Sequence, residues 1–232
     1  MTTQEFNLEF DIYYNNIASN NAPEVNAYEK SVFLTDAQEQ IVRELYDKGG
    51  YENSELSRRH LDNLKRQSVR TSPTQNTALA ASTNSWFFTI PEDLMYIVKE
   101  NVKLVTPCTD IIDVLPITED EYNLQKSNPF RKPSVKGRNK FAWRLDHSKI
   151  SNNRSIEIVL PENATLNQYI VRYIKKPNPI VLVDLDTIDA SLSIEGVTEQ
   201  TECELDSIVH RYILKLAVEN AYKIYMGIKQ NQ

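Results

Sequence analysis

The chain changes its hydrophobic grammar twice. Up to about residue 67 the apolar residues recur at helical spacing. From Trp86 they come as short runs rich in aromatic and β-branched residues: WFFTI, MYIVKENVKL, IIDVL, FAWRL, IEIVL, YIVRYI and PIVLV. Helical spacing then returns in TECELDSIVHRYILKLAVENAYKIYMG. A 3.6-residue period marks a helix with one buried face, and short β-rich runs mark strands. Blocks of this kind predict an α+β protein. N-terminal helices and a long C-terminal helix form a helical part that brackets an antiparallel β-sandwich-like region. Only five glycines occur in 232 residues, against about 16 at average usage. That scarcity weighs against glycine-rich phosphate loops and tight primed hairpins.

Within the first block, Thr2 with Glu5 fits a capping box, and Phe6, Phe10, Tyr13 or Tyr14, and Ile17 follow on one face. A first helix is expected to about Ser19. Thr35 with Gln38 fits a second box, opening DAQEQIVRELYDK with Ala37, Ile41 and Leu45 inward and Gly49-Gly50 as its stop. A third helix is expected through ELSRRHLDNLKRQ, with Leu56, Leu61 and Leu64 toward a core. Thr201 with Glu204 fits the cap of the last helix, where Leu205, Ile208, Val209, Tyr212, Leu216, Asn220 and Ile224 form a wide apolar stripe. The division expected is a helical part at 1–67, a polar arm at 68–85, a β region at 86–198 with a short helix at 118–127, and a C-terminal helix at 199–232 packing on the N-terminal part.

Charge is unevenly spread. Between Lys126 and Lys176 stand twelve Lys/Arg against three Asp/Glu, whereas Pro177 to Asp206 holds eight acids and no base. Such polarity suits nucleic acid at the basic part, or head-to-tail contact between copies of one protein. No apolar run is long enough for a transmembrane helix, and MTTQEFNLEFDIYYNN lacks a secretory core. Cys108 and Cys203 are expected to be free thiols in a reduced compartment.

The most chemical-looking stretch is ITEDEYNLQKSNPFRKP, at 117–133. Thr118 with Glu121 fits a capping box, so Glu119, Asp120 and Glu121 read as a first helical turn whose carboxylates favour the helix dipole rather than bind a metal. The residue before a proline resists helical angles, so Asn128 ends the helix before Pro129. Phe130 then projects from a corner, and Arg131-Lys132 begins a basic run through Lys136, Arg138 and Lys140. His60, His147 and His210 lie apart, without a metal, thiol or serine-nucleophile motif around them. DLDTID, at 184–189, lacks the glycine and distal glutamate of a calcium loop. No enzyme, metal site or cofactor is expected. Asn128, Pro129, Phe130, Arg131, Lys132, Lys136, Arg138 and Lys140, with Asp184 and Asp186 opposite them on a neighbouring copy, are candidates for a subunit interface. The alternative is a nucleic-acid-binding module in which Phe130, Phe141 and Trp143 interleave with cations over 130–144.

Four stretches, EKSVFLTDAQEQIVRELY, PITEDEYNLQKSNPFRKP, YIVRYIKKPNPIVLVDL and CELDSIVHRYILKLAVENAY, together resemble virion structural proteins of crAss-like bacteriophages, the ring or connector proteins at the head–tail junction. More loosely, the layout is similar to the tail tubular adaptor proteins of short-tailed phages. The resemblance implies a non-enzymatic virion subunit, assembled in the host cytoplasm into a ring of about twelve copies under the portal. Its implied partners are copies of itself, the portal protein, neighbouring tail and ring proteins, and DNA passing through the channel, with no membrane.

Overall fold

The computed structural model describes residues 1–17, 23–48, 54–71, 80–106, 110–135, 140–150 and 153–230. They form two compact units, Met1–Leu64 with Lys176–Gln232, and Lys65–Lys175. The chain is α+β: helices before and after a seven-stranded sheet.

The first unit is helical. Helix α1 (Thr3–Ile17) turns Phe6, Phe10 and Tyr14 inward, and Thr2 and Glu5 cap it reciprocally at 2.9 and 3.3 Å. Helix α2 (Ala27–Arg43) continues through a π turn at Glu44–Lys48. It begins earlier than expected, because Asn26 and Glu29 form their own capping box. Thr35, expected as a cap, therefore stands mid-helix and donates its hydroxyl to the Ser31 carbonyl at 2.8 Å, the usual resort of a helical threonine. Helix α3 (Glu55–His60) is short and starts at a Ser54 cap. A 3-10 turn at Asp62–Leu64 then buries Leu61 and Leu64 without further helix.

The run PIVLV, expected as a strand, belongs to this unit and is no member of the sheet. Its backbone is satisfied by side chains of α2 instead. Ile180 N–H donates to Thr35 Oγ1 at 3.1 Å, Leu182 N–H to Ser31 Oγ at 3.0 Å, and Gln38 Nε2 donates to the Asn178 carbonyl at 2.8 Å. The other side of the run pairs Val181 with Thr201 through two backbone bonds of 3.0 and 3.2 Å. Buried amides and carbonyls must find partners, and three polar residues at i, i+4 and i+7 on a helix face meet alternate residues of an extended chain.

That pairing also takes Thr201 away from helix capping. Helix α5 (Ser207–Gln230) starts later: Glu204 accepts from Asn178 N–H at 2.9 Å, and the Asp206 carboxylate accepts from Ile208 N–H at 3.0 Å. Helix α5 packs on α1 and α2. Its buried side is Val209, His210, Ile213, Leu214, Ala217, Val218 and Ala221, leaving Ile208, Tyr212 and Ile224 of the expected stripe exposed. Alanines at 217 and 221 let neighbouring helices approach, so the small residues mark the contact better than the bulky ones.

The second unit is one sheet of strands β1 (Lys65–Arg70), β2 (Ser85–Thr89), β3 (Leu94–Thr106), β4 (Ile111–Pro116), β5 (Phe141–Ile150), β6 (Asn153–Val159) and β7 (Thr165–Lys175). The order is β1-β7-β3-β4-β5-β6-β2, antiparallel except for the β4–β5 pair. Strand β1 replaces the end of the expected third helix, since pairing with β7 overrides the helical tendency of its residues. Of the expected arm, 68–70 lie in β1, Ser85 opens β2, and 72–79 are outside the described residues.

The sheet is curled. Five strand spacings separate β2 from β7 along the order, about 24 Å in a flat sheet. Yet the rings of Phe88 on β2 and Tyr169 on β7 lie 5.1 Å apart. Residues of six strands, among them Val102, Ile112, Ala142, Ile158 and Val171, fill the inside of the curl. The outer face over β5 and β6 is covered by helix α4 (Glu119–Gln125), whose Tyr122 meets Trp143, Leu145 and Val159.

Candidate functional site

The corner at 117–133 is built from the cap outward. Thr118 Oγ1 accepts from Glu121 N–H at 3.3 Å, and Glu121 Oε2 accepts from Thr118 N–H at 3.4 Å. Helix α4 is then pinned by Tyr122. Its hydroxyl donates to the Ala81 carbonyl at 2.8 Å, and its ring stands edge-on to Trp143 at 5.7 Å and 87°. Beyond the helix, Asn128 Oδ1 accepts from Phe130 N–H at 2.9 Å, and the Asn128 carbonyl accepts from Lys132 N–H at 2.9 Å. These bonds fold Asn128, Pro129 and Phe130 into a tight corner that leaves Phe130 86% exposed. Beside it runs a shallow cleft of about 290 Å³, walled by Leu115, Ile117, Phe130, Arg131, Phe141 and Trp143.

The charges around the corner are partly spent inside the chain. Lys132 pairs with Glu162, and Lys140 with Asp110 at 3.1 Å. The Lys140 ammonium, bonded to Asp110, holds that carboxyl below its usual range. Arg131 is exposed, and Lys136 and Arg138 lie outside the described residues. In the helical unit, Asp184 and Asp186 are exposed on a 3-10 turn: Asp184 Oδ1 accepts from Asp186 N–H at 3.2 Å, and Asp186 Oδ2 accepts from Thr198 Oγ1 at 3.2 Å. The corner and the acidic turn thus belong to different units, and each is held by its own local bonds.

Glu119, Asp120 and Glu121 are exposed at the start of α4, with the Glu121 carboxylate turned back onto the cap. Among the described residues no three His, Cys, Asp or Glu converge where a metal could sit. His210 is a packed residue: its Nε2 donates to the Leu205 carbonyl at 3.0 Å, its ring lies 5.5 Å from Phe6, and burial pushes its pKa down. Cys203 donates to Gln38 Oε1 at 3.1 Å, and burial pushes its thiol up to about 11, which leaves it protonated and unreactive at neutral pH.

Sequence reasoning missed one constellation. Inside the curled sheet, Glu100 on β3 receives hydrogen bonds from Arg144 of β5 and Tyr169 of β7. Asp146 lies 3.1 Å from Arg144 Nε. The Glu100 side chain is 4% exposed. Burial raises its pKa, opposed by the Arg144 charge, and burial with the Glu100 charge raises that of Tyr169. The signal was present: Glu100 shares its alternation with inward Val102 and Leu104, and Arg144 shares its own with Ala142.

The described residues thus give a helical unit, a curled sheet and a bonded corner that holds Phe130 in water. The chain belongs to the phage tail ring protein 3/4 family, whose model matches residues 1–231. It is similar to Ring protein 3 of Bacteroides phage crAss001, at 38% identity over 232 residues, covering 95% of this chain and 95% of the relative. It is also similar to Ring protein 4/5 of the same phage, at 35% identity over 233 residues, covering 98% and 94%.

Proposed function

We propose that this chain is the repeating subunit of a closed ring of about twelve copies at the phage head–tail junction, a non-enzymatic connector between portal and tail. The observation that carries the reading is the family match along essentially the whole chain. Two relatives named as ring proteins in one phage further support a stack of related rings, with this ring touching the portal or the neighbouring tail rings. A net charge of −6 suits a conduit that DNA passes without being gripped. No helix among the described residues is long and apolar enough to cross a membrane, and none is needed for a virion position reached from the host cytoplasm.

In this reading Asn128, Pro129, Phe130, Arg131 and Lys132, continued by Lys136, Arg138 and Lys140, meet Asp184 and Asp186 of the next copy. An exposed phenylalanine on a bonded corner is poised for burial, worth about 2 kcal/mol when its side chain leaves water. Phe130→Ala is expected to raise the concentration needed for assembly by about 30-fold per contact while leaving the melting temperature of the free subunit unchanged. Mass photometry across a dilution series reads the first quantity and thermal melting the second. Normal assembly of the variant removes the corner from the interface.

The nucleic-acid reading finds little support in the geometry. Trp143, which would stack on bases, is buried, and Lys132, Lys140 and Arg144 are paired with Glu162, Asp110 and Glu100. The purified protein is expected to show no DNA binding at low salt by fluorescence anisotropy. Binding that weakens steeply with added salt would favour that reading instead.

A further inference from the structure

Helices α1 and α5 each carry an apolar pair on the side turned away from the core. On α1 these are Leu8, 65% exposed, and Ile12, 59%; on α5 they are Ile208, 65%, and Tyr212, 58%. Each pair is spaced i,i+4 and so forms one ridge of its helix. The flanking charges are opposite. Helix α1 contains Glu5, Glu9 and Asp11 and no Lys or Arg. Among its described side chains, helix α5 carries Arg211, Lys215 and Lys223 against Glu219.

We infer that the outer face of α1 on one copy packs against the outer face of α5 on the next, a second contact in the ring that rests on the ring reading above. Leu8 lies against Ile208, Ile12 against Tyr212, and Glu9 beside Arg211. The handedness of the rows supports this match. At 3.6 residues per turn, the Glu5–Glu9 row lies roughly 60° to one side of the Leu8–Ile12 ridge, and the Arg211–Lys215 row roughly 60° to the opposite side of the Ile208–Tyr212 ridge. Two facing helices bring such rows together only when they run parallel. With Leu8 level with Ile208, Ile12 falls level with Tyr212, and Glu9 lies about 3 Å along the axis from Arg211.

The helices of a single copy already run that way. Phe6 packs on His210 near their starts, and farther along both helices meet the first part of α2, α1 through Asp11 with Lys30 and α5 through Tyr225 with Phe33. A rotation about an axis along these helices keeps them parallel in every copy. The two faces differ, so the contact is heterologous and a rotation that closes makes a ring. Glu5 serves also in the α1 cap, which leaves Glu9 as the acid free of a capping duty. Lys223 pairs with Glu219 at 3.9 Å, away from the matched pairs.

The test uses the full chain. Glu9→Arg alone and Arg211→Glu alone are expected to shift rings to smaller species in mass photometry, and the two together to restore them. A Leu8→Cys/Ile208→Cys variant treated with a short bismaleimide is expected to give a ladder of covalent multimers, which neither single cysteine variant gives. Circular dichroism melts of each variant separate loss of contact from loss of fold. Rings that persist in both charge variants with no ladder overturn the α1–α5 contact and leave the ring reading standing. A wild type that stays monomeric at every concentration, with no ladder from the double cysteine variant, overturns both.

Discussion

Arg144→Met is expected to cost about 3–5 kcal/mol of stability, because it leaves Glu100 charged and unpaired inside the curled sheet. Adding Glu100→Gln should return most of that loss, since Gln keeps an acceptor for Tyr169 without a charge to compensate. Sign and pH follow from the same geometry. The Arg144 charge lowers the Glu100 pKa against the larger effect of burial, so its removal raises the folded value further. Protonated Glu100 has no charge to lose a partner, so below both folded values the ionic deficit vanishes. The deficit grows as pH rises through those values and is full above them. Urea denaturation of wild type, Arg144→Met and the double variant across pH checks this. A deficit that does not change with pH would mean that Arg144 acts through packing alone.

That network explains which parts of the fold were legible in the sequence. Alternation along β3 to β7 and the helical period of α1, α2 and α5 follow from one face being buried, and residue type shows that directly. Helix caps follow less reliably. Caps were expected at Thr2, Thr35, Thr118 and Thr201, each followed three residues later by Glu or Gln, but only the Thr2 and Thr118 pairs form boxes. At Thr35 the chain was already helical from Asn26, and at Thr201 the hydroxyl and backbone were claimed by Val181. The first outcome is decided by a stronger cap earlier in the same helix, the second by a partner 20 residues away. The buried side of α5 was misjudged for a related reason: Ala217 and Ala221 carry little hydrophobic signal but permit close helix packing, while Ile208 and Tyr212 carry much and face water. Strand β1 was hidden because KRQSVR has neither alternation nor β-branched density; only its partner β7 makes it a strand. The corner at Phe130 was readable because Asn-Pro dictates it locally, whereas which neighbours answer Lys132 and Lys140 came from Glu162 and Asp110, 30 residues distant in each case.

Ser31→Ala with Thr35→Val is expected to remove about 2–6 kcal/mol, from two backbone amides left without acceptors at about 1–3 kcal/mol each. The amides are those of Leu182 and Ile180, both within buried residues of the helical unit, so water cannot replace the lost oxygens. Either change alone should cost less than half as much, because the remaining hydroxyl still holds the one extended segment through which the two are coupled. The segment leads into the Asp184–Asp186 turn, which is fixed by the Leu185 N–H donating to the Thr198 carbonyl at 2.8 Å. Loosening the run at 178–182 should therefore also disorder that turn, and with it any contact it makes with a neighbouring copy. Hydrogen exchange gives the decisive readout. Amides at 180–185 and in α5 should lose protection in the double variant, while β3 and β7 keep theirs, if the helical unit carries the loss. Equal loss in both units would mean that these hydroxyls support the whole chain rather than the one tether.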